Sequence, residues 1–380
     1  MNLIKLIDCI ELTGRSCKPF NGEKKYVSTG AVDVNSIDDS QIETVTYNNK
    51  PSRANVVVDE GDLLFAKMQA TNKVLIIDKD RANNIYSTGF YAIKPKNNII
   101  SSKCLYHLVK SKDFNQKKDK ECNGATQKAL NNEGLSKIMV KLPDRAIQDR
   151  IVRELDCIDS IIESNNKQLS LLDELIKARF NEFFGDPESD KKYPQIAIKN
   201  LTKVVSGGTP DRKNILYWEN GTVPWVKTTE LQNNKIDTVE EYITEKGLNE
   251  SSAKIVPEKT ILIAMYGQGK TRGMTAILGI PASTNQACAC ILPSEKVEPK
   301  YLWQYMIMSY NRLRDLAQGG NQPNLNGSMI KNFTVLLPPK ELQLQFVDFV
   351  DQIEKSKNVC QQKINLYQEL LDTKMDEYFN

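Results

Sequence analysis

Between residues 146 and 184 the apolar side chains fall at Ile151, Leu155, Ile158, Ile162, Leu169, Leu172 and Ile176, with Asn165, Arg179 and Phe183 completing the row in steps of four and three. That spacing is the seam of a coiled coil. The row returns 195 residues later as Phe346, Val350, Ile353, Lys357, Cys360, Ile364, Tyr367, Leu371, Lys374 and Tyr378. The chain carries one long amphipathic helix twice. Leu142-Pro143 marks the start of the first copy and Gly185-Asp186-Pro187 its stop, since proline disfavours helical backbone in the residue before it. At roughly 1.5 Å per residue each helix is about 55 Å long. Two such seams can hide against each other within one chain, antiparallel and related by a pseudo-twofold axis, as a spacer between globular parts. Asn165 and Lys357, polar at seam positions, are candidates for fixing register.

The stretches outside the helices mix short apolar runs with turn residues. Val56 to Met68, Val74 to Asp78 and Phe90 to Pro95 read as strands bounded by Gly, Asp, Asn and Pro. A helix is predicted over Lys103 to Lys118, with Leu105, Leu108, Val109 and Phe114 on one face. This mixture repeats. Leu63 to Ala66 corresponds to Ile261 to Ala264 at an offset of 198, Gly124 to Asn131 to Gly319 to Asn326 at 195, and Leu142-Pro143 to Leu337-Pro338. Small drifts in the offset are what loop insertions produce. The reading is an α+β chain of two similar globular domains, 1–145 and 195–339, each followed by a long helix, 146–185 and 340–380, with a polar linker at 186–194.

Composition narrows the function classes. A length of 380 residues suits two domains. Fifty-one Lys and Arg against 48 Asp and Glu leave a net charge of +3, so a partner must be sought in local pattern. Lys103, Lys110, Lys112, Lys117, Lys118, Lys120 and Lys128 cluster, as a solvated helix face or a phosphate-facing surface. Eight cysteines without a C-x-x-C pair and a single histidine argue against zinc and any other metal site. The N-terminus does not resemble a signal peptide, and no apolar run approaches the roughly 18 residues of a membrane span. A reduced, cytoplasmic protein without membrane contact is expected.

Ala264 to Thr271 matches the loose phosphate-loop pattern ending Gly269-Lys270-Thr271, which alone would indicate a nucleotide. A phosphate loop needs a helix directly after the threonine. Here Arg272-Gly273-Met274 leads into a strand-like run. The segment suits a recognition loop better, because Gln268, Lys270, Thr271 and Arg272 are side chains that read base edges and phosphates. Its counterpart in the first domain holds Lys67, Gln69, Thr71, Asn72 and Lys73. Gln127 and Lys128, Gln322 and Lys227 complete the DNA-binding candidates. No catalytic constellation is found: a triad would need His107, which sits in a predicted helix, and the only Pro-Pro pair, Pro338-Pro339, lacks the context of an adenine methyltransferase. Asp59, Glu60, Asp62 and Lys67 read as turn and strand more readily than as a nuclease centre.

These elements together resemble the DNA specificity (S) subunit of type I restriction-modification systems. The resemblance rests on Val205-Ser206-Gly207-Gly208-Thr209-Pro210 followed by Val223-Pro224-Trp225-Val226, and on Leu142, Pro143, Gln148, Ile151 and Val152. The latter group recurs as Leu337, Pro338, Gln343, Phe346 and Val347, and Phe183 to Pro187 closes the first helix. It implies two target-recognition domains that each read half of a split sequence in double-stranded DNA, with an antiparallel coiled coil between them. It further implies docking of two methyltransferase subunits, which carry S-adenosylmethionine, and of a motor-nuclease subunit where one exists. No cofactor is then expected on this chain, and no catalysis. The first copy departs from the pattern, with Leu12-Thr13-Gly14-Arg15-Ser16 at the entry, as expected if the half-sites differ. A coiled-coil scaffold without DNA and a phosphate-loop nucleotide-binding protein remain the alternatives.

Overall fold

The apolar runs become strands, and their alternation shows why. The computed structural model describes residues 2–125, 127–186, 192–267, 269–317 and 324–380. They form two units, Met1–Gln168 with Cys360–Asn380, and Leu169–Val359. In the first unit β1 (Ile10–Leu12), β2 (Leu63–Ala66), β3 (Val74–Ile76) and β4 (Phe90–Pro95) make a sheet in the order β1-β4-β2-β3, with antiparallel neighbours. Side chains alternate across a strand. Leu63 and Phe65 therefore join a core with α1 (Ser102–Lys110) and α2 (Arg145–Phe184), while Leu64 and Ala66 join a second core on the opposite face. Both faces are covered, which explains an unbroken apolar strand. A second sheet contains Lys24–Val27 parallel to Ile85–Ser87.

The second unit repeats this plan. Strands β5 (Val204–Ser206), β6 (Ile261–Ala264), β7 (Thr275–Leu278) and β8 (Cys288–Ile291) run in the order β5-β8-β6-β7, with Asn234–Ile236 added in parallel beyond β7. Ile261 and Ile263 face α3 (Pro299–Met308) and the long helices, and Leu262 and Ala264 face the other way. In its companion sheet Val223–Val226 runs parallel to Ser283–Thr284.

The long helices span α2 and α4 (Lys340–Phe379). Gly185, at φ +80°, ends α2 in the left-handed conformation that favours glycine, its N–H donating to the Asn181 carbonyl at 2.8 Å. Within the second unit the rings of Phe183 and Phe184 face Phe346, Arg179 lies over Phe349, and Asp173 pairs with Lys357 at 2.6 Å. Numbers rise on one helix as they fall on the other, so the pair is antiparallel. In the first unit Glu154 meets Tyr378 and Lys374, at 2.6 and 3.3 Å, beside the buried set Ile151, Leu155, Ile158 and Leu371. Each unit is thus closed by half of α2 and half of α4.

Three expectations need correction. The seam was expected to end through Arg179 and Phe183, and through Lys374 and Tyr378. The fully buried residues there are Phe180 and Phe184, and Met375 and Phe379, in steps of four from Ile176 and Leu371, although Tyr378 stays buried as well. A straight helix drifts from a seven-residue repeat, and at these ends it packs against a whole domain with a wider apolar stripe. Midway, Ile162, Leu169, Leu172, Ile353, Ile364 and Tyr367 are half-buried. The helix predicted over Lys103 to Lys118 is two helices, α1 and Lys112–Lys120, because Ser111 is extended (ψ 152°) and its hydroxyl accepts from the Phe114 N–H at 3.2 Å. Asn165 turns its amide to the Ile161 carbonyl of its own helix at 2.7 Å, whereas Lys357 reaches across to Asp173. Residues 187–191 of the linker lie outside the described residues.

Candidate nucleic-acid interface

The chain leaves β2 and β6 in the same way. Lys67 N–H donates to the Gly89 carbonyl (2.8 Å) and Leu130 N–H to the Lys67 carbonyl (2.8 Å). Met265 N–H donates to Ala287 (2.9 Å) and Leu325 N–H to Met265 (3.0 Å). In both copies a distant segment is stitched beside the strand end. In the first unit this unites two candidate sets, since Gln69 N–H also donates to the Lys128 carbonyl at 3.0 Å. Lys67, Gln69, Gln127 and Lys128 form one polar rim, where Gln127 accepts from Arg53 at 3.2 Å.

Other candidates in that loop hold it in shape. Ala70 sits at φ +56°, its N–H 3.1 Å from both Asp119 carboxylate oxygens. Asn72 donates to the Lys110 carbonyl (3.1 Å), the Thr71 hydroxyl to the Gln69 carbonyl (3.3 Å), and Lys73 to the Thr29 carbonyl (2.8 Å). These side chains are tied to backbone, as is the Gln69 amide, which donates to the Asp119 carbonyl at 3.3 Å, so the exposed Gln127 and Lys128 are better placed to meet a partner.

In the second unit the loop between β6 and β7 is held by its carbonyls. Tyr310 donates to Lys270 at 2.8 Å, and Arg314 donates to Gly269 and Arg272 at 2.8 and 3.0 Å. The Lys270 side chain stays exposed, with Thr271 and Arg272 half-buried. Gln268 and Gln322 lie outside the described residues. After Thr271 the chain turns, with Met274 N–H donating to the Thr271 carbonyl (3.0 Å), and enters β7. No helix follows, so the phosphate-loop reading loses its anion site. Lys227 lies apart, after Val223–Val226, bound to Glu240 (2.7 Å) and Glu241 (3.0 Å). Those hydrogen bonds, Glu240's first, raise its pKa.

Four of the seven clustered lysines are engaged within the fold. Lys103 pairs with Asp156 and Lys110 with Asp159, both on α2, Lys117 pairs with Asp113, and Lys118 is buried with its ammonium on the Thr71 carbonyl. These charges dock α1 onto α2 and shape the loop. His107 is fully buried with Nε2 2.8 Å from Asp156; burial lowers its pKa although Asp156 and Asp159 oppose the shift. Asp59 pairs with Arg15, and Asp62 is buried with a carboxylate oxygen on the Asp59 N–H (2.8 Å), which is turn chemistry. Among the described residues no cluster of three or more His, Cys, Asp or Glu could hold a metal, and no helix is long and apolar enough to cross a membrane.

The model of the type I restriction modification DNA specificity domain matches residues 7–174 and again 191–367. The chain belongs to this family. Its relatives include the EcoR124I/EcoR124II specificity subunit of Escherichia coli, 25% identical over 240 residues, covering 60% of this chain and 58% of that protein. The HindI specificity subunit of Haemophilus influenzae is 22% identical over 397 residues, covering 83% and 85%. A solved chain from a study of assembly and conformational transition in a type I restriction-modification system superposes with a TM-score of 0.57 at 18% identity, over 99% of this chain and 97% of that one. The type I S subunit from M. genitalium gives 0.55 at 12%, over 100% and 96%. At these identities the solved chains show the fold alone.

The specificity-domain motifs acquire physical roles. Gln148 is fully buried, accepting from Ser101 N–H (3.1 Å) and donating to the Ile99 and Pro143 carbonyls (2.9 and 3.1 Å). Gln343 makes two of these bonds, accepting from the Glu298 N–H and donating to the Pro338 carbonyl, both at 2.8 Å. Each glutamine locks a long helix to its own domain. A Cβ on Gly207 would lie 2.2 Å from the Thr284 hydroxyl, and one on Gly208 2.3 Å from Ser252, so the paired glycines of the second copy permit backbone contact. A Cβ on Gly14 would be 3.3 Å from Ala92, a looser approach that fits the different entry of the first copy. Not foreseen was Arg212, stacked 3.6 Å from the Trp218 ring centroid and 4.6 Å from that of Trp225, and bonded to Glu241. Its position two residues after Pro210, with two tryptophans downstream, was the available signal.

Proposed function

We propose that this specificity subunit reads a bipartite double-stranded DNA target, one half-site per domain, as the non-catalytic member of a type I restriction-modification complex. The observation that carries the reading is the match of the DNA specificity model to both halves of the chain. The rims after β2 and β6 support it, since equal backbone positions carry unlike polar side chains, as an asymmetric target requires. Lys67, Gln69, Gln127 and Lys128 serve one half-site, and Lys270, Thr271 and Arg272 the other.

Chemistry is supplied in trans by methyltransferase subunits that bring S-adenosylmethionine, with a motor-nuclease subunit where present. Exposed leucines suggest where two copies of the methyltransferase dock. Leu171 and Leu175 on α2 are 53% and 45% exposed, and Leu366 and Leu370, their repeats on α4, are 62% and 40% exposed. Isolated exposed leucines are ordinary, but two equivalent i, i+4 pairs suit two equivalent docks. Mapping methylated adenines genome-wide with and without the gene tests the reading. Loss of methylation at one split motif is expected; an unchanged methylome, with no salt-dependent binding of the full chain to any duplex, overturns it.

A further inference from the structure

The two domains can be superimposed on their hydrogen bonds, and the comparison isolates three positions. Lys67, Tyr91 and Asn132 of the first unit occupy the backbone places of Met265, Ala289 and Gly327 in the second. Met265 is buried in the core, and nothing in the shared backbone calls for a cation there. In the first unit these side chains form the common wall of two adjoining hollows of about 270 and 530 Å³. Ser16, Asn55 and Thr88 line the smaller one.

The Lys67 ammonium lies 4.2 Å from the centroid of the Tyr91 ring, and the Tyr91 hydroxyl donates to Asn132 at 2.8 Å. Among the described residues no carboxylate comes within ion-pair distance of Lys67. The charged neighbours in the walls are already matched, Arg15 with Asp59 and Glu133 with Lys137. Burial lowers the Lys67 pKa, the mark of an ammonium that has lost water without gaining an anion. A half-buried cation on an aromatic face, flanked by neutral amides and hydroxyls, lacks one component. That component is an anion.

We propose that the Lys67 hollow receives a phosphate group of the DNA backbone, a clamp the first domain has and the second lacks. The inference rests on the DNA-reading function above. A lysine is suited to a phosphate as a point charge, and its backbone is fixed on both sides by the Gly89 and Leu130 hydrogen bonds, so the clamp is in place before DNA arrives.

The test compares the full-length chain with Lys67→Met, the side chain that the second domain carries at that place, and with Lys67→Arg. Binding to fluorescent cognate and unrelated duplexes is followed by anisotropy between about 50 and 200 mM salt. Lys67→Met should weaken binding several-fold and equally for both duplexes, and reduce the slope of log K against log salt by about 0.9, the value for one phosphate. Lys67→Arg should keep slope and affinity. Thermal melting of Lys67→Met should be unchanged or higher, which separates lost binding from lost folding. Unaltered slope and affinity overturn the clamp while leaving DNA reading intact, and so does a loss confined to the cognate duplex, which would make Lys67 a base reader. Absence of wild-type binding to either duplex overturns both readings together.

Discussion

The two halves of this chain share their backbone anchors and differ in their rims and at their helix ends. Gln148 and Gln343 share two backbone bonds, and Leu130 and Leu325 stitch the same strand ends. The loops beside those strand ends are braced by unrelated means: carboxylate and carbonyl groups of Asp119 and Lys110 in the first unit, Tyr310 and Arg314 in the second. A duplicated scaffold can keep its packing and exchange its rim, because a braced rim contributes little to the core. The helix ends also differ in kind. Phe180, Phe184, Tyr301 and Phe346 form an aromatic cluster in the second unit, with ring centroids 4.9 to 6.1 Å apart. Met375, Phe379 and Ile151 occupy the equivalent core of the first.

That contrast makes Phe184→Ala the most damaging change considered. It should cost about 3 to 5 kcal/mol and unfold the second unit first, read by hydrogen exchange resolved along the chain. Protection lost equally in both units would deny their separate cores. Next come Gln148→Leu and Gln343→Leu, each leaving backbone groups unpaired at about 1 to 3 kcal/mol. Gln148→Leu should cost at least as much as Gln343→Leu, because Gln148 also holds the Ile99 carbonyl, and a clearly larger fall in the chemical denaturation midpoint for Gln343→Leu would break this ranking of the anchors. Lys270→Ala and Gln69→Ala should each relax recognition of a different half-site, by about 1 to 3 kcal/mol where the side chain makes a bidentate base contact. Selection of bound sequences from a randomised duplex pool would read this, and a change in the same half-site for both variants would refute one domain per half-site.

Smaller in effect is the response to acid. His107 has a lowered pKa in the folded chain, so between that value and the ordinary one near 6.5 the unfolded chain binds the extra proton. The stability of the first unit is then complete above about pH 6.5 and falls as the pH drops below it. No other histidine exists to mimic this. His107→Gln should flatten the dependence of melting temperature on pH in that window. Lys357→Ala, which removes an exposed pair with Asp173, should change stability by only about 0 to 1 kcal/mol.

Much of the architecture was legible because it depends on period and repetition. Seven-residue spacing located both long helices, and the offset near 195 matched strand Leu63–Ala66 to strand Ile261–Ala264. The split at Ser111 was hidden because serine tolerates helix, and only its buried hydroxyl, which donates to the Leu108 carbonyl and accepts from the Phe114 N–H, decides the break. The shift from Phe183 to Phe180 and Phe184 was hidden because it reflects a surface built from distant residues. At the site, spacing selected the two loops correctly as matching places. It could not show that Asn72 and Lys73 are occupied by backbone, that Lys227 is held by two glutamates, or that Gln127 and Lys128 pass beside Gln69. Those facts depend on which carbonyls and carboxylates the fold brings within 3 Å.

The reciprocal closing of the units sets an order of events during synthesis. The core around Ile151 and Leu155 contains Leu371, Met375 and Phe379. A ribosome that has finished the first domain has therefore not yet made the side chains that seal it, while the second unit, ending at Val359, is complete sooner. The part translated first matures last. A chain cut after residue 359 should retain the second unit and lose the first, so damage at one terminus would surface near the other.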